Sequence, residues 1–187
     1  MEQLVNETVY YKKPSVFWCI FNVSQHPFSN LKIRHALSFA IDRKKMMHHF
    51  FDGSKPAFAP LPERLTMQQG DNFLIRENKA EAKSFFDEGL KEIGLTRENF
   101  PVVSIACMNS SLQKSFFESL KELWESTLGI RCQIETYDWP DLFKKMTAGD
   151  FQIGAMYWLT WINDPIYTLN AFIDNVEAVN FPNWENK

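Results

Sequence analysis

The chain has 187 residues and 45% hydrophobic content, including 17 Phe and 6 Trp, which is enough to bury the core of one compact domain. Its 20 basic and 23 acidic residues leave a net charge of −3 and are mixed along the chain, which argues against a dedicated nucleic-acid surface. The three cysteines occur singly, without C-x-x-C spacing, and therefore predict buried thiols rather than a disulfide framework.

Short apolar runs bounded by turns alternate along the chain with patterns of the 3.6-residue helical period. The predicted order is a strand over 15–23, a helix from about residue 30 with a further turn or two through Phe51, an extended loop with three prolines over 54–75, a helix over 79–94, a strand over 101–108, a helix ending at Gly129, a strand over 130–137, a helix from 139, a strand over 151–158, a helix from Pro165 to about Ile173, and a tail over 175–187 without a clear element. Strand-helix alternation of this kind predicts an α/β layer with parallel strand pairings.

Capping signals mark several of the helix starts. Asn78 with Glu81 and Ser110 with Gln113 are spaced as capping boxes, and Asp138 precedes a helix with proline in its first turn. Leu112, Phe116, Leu120, Leu123 and Trp124 are expected to line the core side of the helix that follows Ser110. The strand over 151–158 is apolar on both faces, which predicts a position inside the sheet.

The sequence gives little support for a catalytic site or a metal site. The adjacent His48 and His49 point about 100° apart on a helix and cannot share one ion, and His26 and His35 lack ligand partners at useful spacing. We therefore expect no metal and no cofactor. Glycine-rich phosphate loops and a G-x-S-x-G motif are also absent from the sequence. All three cysteines, Cys19, Cys107 and Cys132, fall within predicted strands. Thiols in such positions normally pack in the core and are unreactive.

The stretch GAMYWLTWINDP, residues 154–165, has three aromatic residues at the end of the last predicted strand. A hydrophobic core could use Tyr157, Trp158 and Trp161, and so could a binding cleft. In open α/β sheets, however, ligands bind outside the carboxyl ends of the strands. Aromatic rings at that edge offer broad, rigid contact at a low entropic cost.

Three segments of the sequence resemble the C-terminal lobe of extracytoplasmic oligopeptide-binding proteins, the family 5 solute receptors of peptide ABC importers. WCIFNVSQHPFSNLKIRHALSFAIDRKKM (18–46) is similar to the family's strand, Pro-Phe turn and following helix. KAEAKSFFDEGLKEIG (79–94) is similar to an Ala-rich helix that ends in Gly, and GDFQIGAMYWLTWINDPIYTLNAF (149–172) resembles the strand, tryptophan, short loop and Asp-Pro. Together these segments span most of residues 10–175.

The resemblance implies a periplasmic-binding-protein-like (type II) lobe with a mixed, mostly parallel sheet and helices on both faces. Residues 1–187 would be one such lobe, a fragment of a larger two-lobe protein, which would also account for a polar N-terminus without an export signal. The implied partners are a peptide or peptide-like ligand, the missing N-terminal lobe and an ABC permease. The implied location is periplasmic or extracytoplasmic, with a lipid anchor on the parent protein left open.

The resemblance further implies that a peptide adds as a strand beside Tyr157–Leu159, and it yields a ligand-binding set of Tyr157, Trp158, Leu159, Thr160 and Trp161. In many members this loop has the form Trp-x-x-Asp, and the aspartate pairs with the peptide's α-amino group. Here Trp161 occupies the position of the charge. An indole can hold a cation by its π-face or stack on a group other than a free N-terminus. Asp164, before Pro165, fits a helix cap better than that role.

The function expected from these observations is a non-catalytic receptor lobe for peptides or peptide-like ligands. Two alternatives stay open at this point. One is a cytosolic α/β enzyme, a cysteine-dependent hydrolase whose Cys-His pair would form only in the folded chain. The other is a protein-interaction module that binds a partner through the aromatic wall.

Overall fold

The computed structural model describes residues 15–50, 55–62, 65, 77–162, 164–172 and 180–184, and within 48–50 the backbone alone. The described elements in chain order are β1 (Ser15–Phe21), α1 (Leu31–Phe39), α2 (Arg43–Phe50), α3 (Lys79–Ile93), β2 (Val103–Met108), α4 (Ser111–Leu128), β3 (Cys132–Tyr137), α5 (Trp139–Thr147), β4 (Ile153–Leu159), α6 (Pro165–Leu169) and a 3-10 helix (Asn170–Phe172). Most of the predicted loop over 54–75 and of the tail over 175–187 lies outside the described residues.

The four strands form one sheet in the order β1-β4-β2-β3. β2 runs parallel to both β3 and β4, whereas β1 pairs with β4 in the antiparallel direction, from Ser15 opposite Leu159 to Phe21 opposite Ile153. The sheet is therefore mixed and mostly parallel, as predicted. β4 lies inside it, in agreement with its apolar residues on both faces.

Helices cover both faces of the sheet. Successive side chains of a strand point to opposite sides, so each strand contributes to two cores. On one face, Ile105 and Ile153 belong to a core shared with α1, α3 and α4, which contains the fully buried Phe117 and Trp124. On the other face, Trp18 and Met156 pack with Leu142 and Met146 of α5. The predicted arrangement of helices on both faces is confirmed.

Local capping follows the sequence at some helix ends and departs from it at others. The Asn78 side chain accepts hydrogen bonds from the amides of Ala80 and Glu81, and Gly94 ends α3 with a φ of 69°. The box itself is incomplete, because Glu81 accepts from the Asn78 side chain while the Asn78 amide donates to the Phe39 carbonyl. At α4, Ser110 accepts from the Gln113 amide, but the Gln113 side chain accepts from the Met108 amide instead of completing the box.

Two further expectations for the helices were wrong in part. Leu120 and Trp124 of α4 are buried as predicted, and Phe116 and Leu123 pack against the core. Leu112, however, is 43% exposed, and Gln113 and Phe117 are buried in its place. The Gln113 side chain is held inward by the hydrogen bond that it accepts from the Met108 amide, five residues earlier at the end of β2. Asp138 precedes α5 as expected, but its side chain makes no cap hydrogen bond.

This topology places the end of β4 at the same edge of the sheet as the ends of β2 and β3, since all three run in parallel. The pairing found between β2 and β4 reaches Ala106 opposite Gly154, and β4 continues beyond it to Leu159. The end of β4 therefore projects past β2, with the start of β1 along its other side.

Candidate functional site

The last residues of β4 present apolar side chains to the surface. Tyr157 and Leu159 share one face of the strand and are 44% and 41% exposed. The Tyr157 ring lies 4.7 Å from that of its cross-strand neighbour Phe17, measured between ring centroids. Partial burial raises the pKa of the Tyr157 phenol above its ordinary value.

The Trp158 side chain points to the opposite face of the sheet from Tyr157 and Leu159 and packs there against the core that contains Trp18. Its ring stacks on Trp18 at 5.1 Å with an interplanar angle of 20°, and Tyr167 of α6 lies 6.2 Å away. The Trp18 indole donates to the carbonyl of Pro60 at 3.0 Å. The Trp158 indole nitrogen is buried and has no acceptor among the described residues. A buried donor of this kind costs stability and is often found at functional sites.

A short loop connects β4 to α6 and is anchored at both of its ends. The buried Thr160 hydroxyl lies 3.2 Å from the hydroxyl of the buried Thr168 in α6. Asp164 begins α6, and its carboxylate accepts from the Ile166 amide at 2.9 Å, which confirms the predicted N-cap. These contacts hold the loop against the fold.

Apolar residues between the two anchors, Thr160 and Asp164, are exposed to solvent. Trp161 and Ile162 are 72% and 60% exposed, and Ile166 in the first turn of α6 is 53% exposed. We call the exposed apolar residues of this region the rim, which comprises Tyr157, Leu159, Trp161, Ile162 and Ile166.

The five residues predicted for ligand binding thus occupy different positions. Tyr157, Leu159 and Trp161 lie on the exposed rim, and Trp158 lies beneath it against Trp18. The Thr160 side chain is buried against Thr168, so its hydroxyl is not available to a ligand. Ile162 and Ile166 were not predicted from the sequence. The short spacing between the end of the strand and the Asp-Pro start of the next helix could have indicated that both residues lie close to the strand end.

The three cysteines lack the properties of an activated nucleophile. Burial raises the pKa of Cys19 and of Cys132 to about 12 and that of Cys107 to about 11, and the three form no disulfide. His35 packs against Phe39 and Phe85, and burial followed by the nearby Arg34 charge lowers its pKa. Within the described residues, no three acidic, histidine or cysteine side chains form a group suited to a metal ion.

A cavity of about 190 Å³ lies elsewhere, between the end of α1 and the start of α3. It is lined by Phe39, Ala40, Ile41, Asp42, Glu77, Asn78 and Lys79. Glu77 accepts from the Arg43 amide and forms an ion pair with its guanidinium at 3.5 Å, so the acidic wall of this cavity is already occupied by a structural contact.

Comparison with known proteins places the chain in a family. The profile of "Bacterial extracellular solute-binding proteins, family 5 Middle" matches residues 2–180. The chain therefore belongs to the family 5 solute-binding proteins. The oligopeptide-binding protein OppA of Bacillus subtilis is 29% identical over 175 residues, which cover 91% of this chain and 32% of that protein. The chain thus spans about a third of the length of this relative.

Solved structures show the same architecture. The murein tripeptide binding protein MppA of Escherichia coli superposes with a TM-score of 0.84 at 18% identity, covering 99% of this chain and 37% of that one. Haemophilus influenzae OppA in complex with RPPGFSPFR superposes with a TM-score of 0.83 at 20% identity, covering 99% and 38%. These similarities confirm the type II periplasmic-binding-protein fold class. Among the described helices, none has both the length and the apolar content to cross a bilayer.

Proposed function

We propose that residues 1–187 form one lobe of a receptor that binds peptides or peptide-like ligands and delivers them to an ABC importer without catalysis. The observation that carries this proposal is the exposed apolar rim at the end of β4, in a family 5 solute-binding fold. The carboxyl edge of an open α/β sheet is the usual ligand-binding position. Exposed aromatic side chains at such an edge mark a binding surface more often than a solvated one.

The ligand would add as a strand beside Tyr157–Leu159. β4 continues to Leu159 past its last residue paired with β2, while β1 lines its other side. Main-chain hydrogen bonds in this mode are independent of side-chain identity, and the pockets beside them supply preference. The rim and Trp158 would form one wall of the site, and Thr160 would contribute its main chain.

The second wall would come from another lobe of the parent protein. The chain spans only 32% of the length of its Bacillus subtilis relative, so the rest of such a protein can supply it. Hinge closure of the two lobes around the ligand would present the loaded receptor to a membrane permease. We place this parent protein outside the cytoplasm, in the periplasm or at the cell surface, where a lipid anchor would retain it.

A hydrolase is the weaker alternative, because all three thiols have raised pKa values and would be largely protonated at neutral pH. An interaction module that uses the rim for a protein partner would instead form a stable complex in size-exclusion chromatography.

The proposal can be tested by titrating the ¹⁵N-labelled chain with a mixture of tripeptides and following its 6 tryptophan indole signals by NMR. We expect the signals of Trp158 and Trp161 to shift with weak affinity, because half of the contacts and the enclosure are missing. The indole of Trp184 is the matched control. It is 42% exposed, but its segment packs beside Val23, past the opposite end of β1.

Two results would count against the proposal. Shifts spread equally over Trp161 and Trp184 would indicate nonspecific association. Micromolar or tighter peptide binding by these residues alone, measured by calorimetry, would refute the idea that the site is shared with a second lobe.

A further inference from the structure

The segment of the sequence that carries the rim has few charged residues. Residues 151–173 contain a single charged residue, Asp164, although 23% of the whole chain is Asp, Glu, Lys or Arg. A surface-exposed loop and strand end are normally polar, so this composition is unusual for a segment whose five rim side chains are 41–72% exposed. The segment is therefore suited to contact with another apolar group.

The one carboxylate in this segment has a structural task. Asp164 accepts from the Ile166 amide and begins α6, which carries Ile166 of the rim and Thr168 beneath the loop. Turning the carboxylate towards a ligand amine would break this cap and leave first-turn amides of α6 without their acceptor. Asp164 is thus poorly placed to neutralise a cationic ligand.

The apolar surface also continues sideways from the rim. The Tyr157 ring contacts Phe17 of β1, and the Phe17 ring lies 5.5 Å from Phe116 of α4 in an edge-on arrangement. A cationic group placed on such a surface loses water, and the only carboxylate of the segment 151–173 is already engaged as a helix cap. An uncharged, apolar group loses little and removes exposed hydrocarbon and aromatic surface from water.

We infer that the rim selects ligands whose segment seated against Trp161 is apolar and uncharged, such as an acylated end or an aliphatic or aromatic side chain, rather than a free amino group. This inference rests on the proposed function and specifies its ligand. Trp161 is then a specificity-determining residue, supported by Ile162 and Ile166 on either side of the helix start.

The experiment compares two probes that differ by one charge, acetyl-Leu-Phe-Leu-amide and Leu-Phe-Leu-amide. Each is titrated into the labelled 187-residue chain, and the Trp158 and Trp161 signals are followed. We expect the acetylated probe to bind about tenfold more tightly, because the free amine must be desolvated without a partner. Trp161→Ala should weaken the acetylated probe about tenfold, Trp161→Asp should reverse the preference, and Trp184→Ala should change neither.

The possible failures are distinguishable. Equal affinity for both probes would overturn the selection. A preference for the free amine that Trp161→Ala abolishes would also overturn it and would indicate cation-π binding. In both cases peptide binding at the rim itself would stand. If neither probe shifts the Trp158 and Trp161 signals, the proposed function fails, and the selection fails with it. Thermal melts of each variant verify folding, which the high exposure of Trp161 is expected to preserve.

Discussion

Replacing Asp164 by alanine is predicted to loosen the support of the rim without touching its side chains. The Asp164 carboxylate provides the N-cap of the five-residue α6, and loss of such a cap costs about 1 kcal/mol. Since RT is about 0.6 kcal/mol at room temperature, this corresponds to about a fivefold larger population of the opened helix. The bond between Thr160 and Thr168 would be lost in the same opening.

Amide hydrogen exchange at Asn170 measures this opening directly, because that amide donates to the carbonyl of Ile166 across α6. We expect Asp164→Ala to increase its exchange rate about fivefold. Asp164→Asn is the matched control, since asparagine caps helices as well as aspartate does but has no charge. Its exchange rate should stay close to that of the original chain.

Two outcomes would refute this reasoning. If Asp164→Asn opens α6 as much as Asp164→Ala does, the charge matters rather than the cap. If Asp164→Asn leaves α6 intact but abolishes the binding of a free-amine peptide, the carboxylate is a ligand-binding group, and its assignment as a structural cap is incomplete.

Two further predictions concern titratable groups. The pKa of His35 is lowered, first by burial, so protonation of this side chain favours the unfolded chain. The contribution of His35 to stability should therefore be constant above about pH 6.5 and should fall as the pH drops below it. Urea unfolding at pH 7.5 and pH 5 should show this loss, and His35→Phe should reduce it. The three thiols, with pKa values of about 11 to 12, should react with iodoacetamide at pH 7.5 more than about a hundredfold slower than an unperturbed cysteine, and a fast-reacting cysteine would instead favour the hydrolase.

Features with a local physical cause were predictable from the sequence. The cap of α3 at Asn78, its left-handed end at Gly94 and the Asp164 cap of α6 each depend on a few neighbouring residues. The position of β4 inside the sheet followed from its apolar residues on both faces. The family resemblance was also visible in the sequence and is confirmed over residues 2–180.

Contacts between distant parts of the chain were decided by the tertiary structure alone. β1 runs antiparallel to β4 although strand-helix alternation favoured parallel pairing. The sequence placed aromatic residues at the end of a strand, but only folding buried Thr160 against Thr168 and turned Trp161 and the neighbouring isoleucines outward. Side-chain identity sets local conformation, whereas exposure depends on which other elements pack nearby.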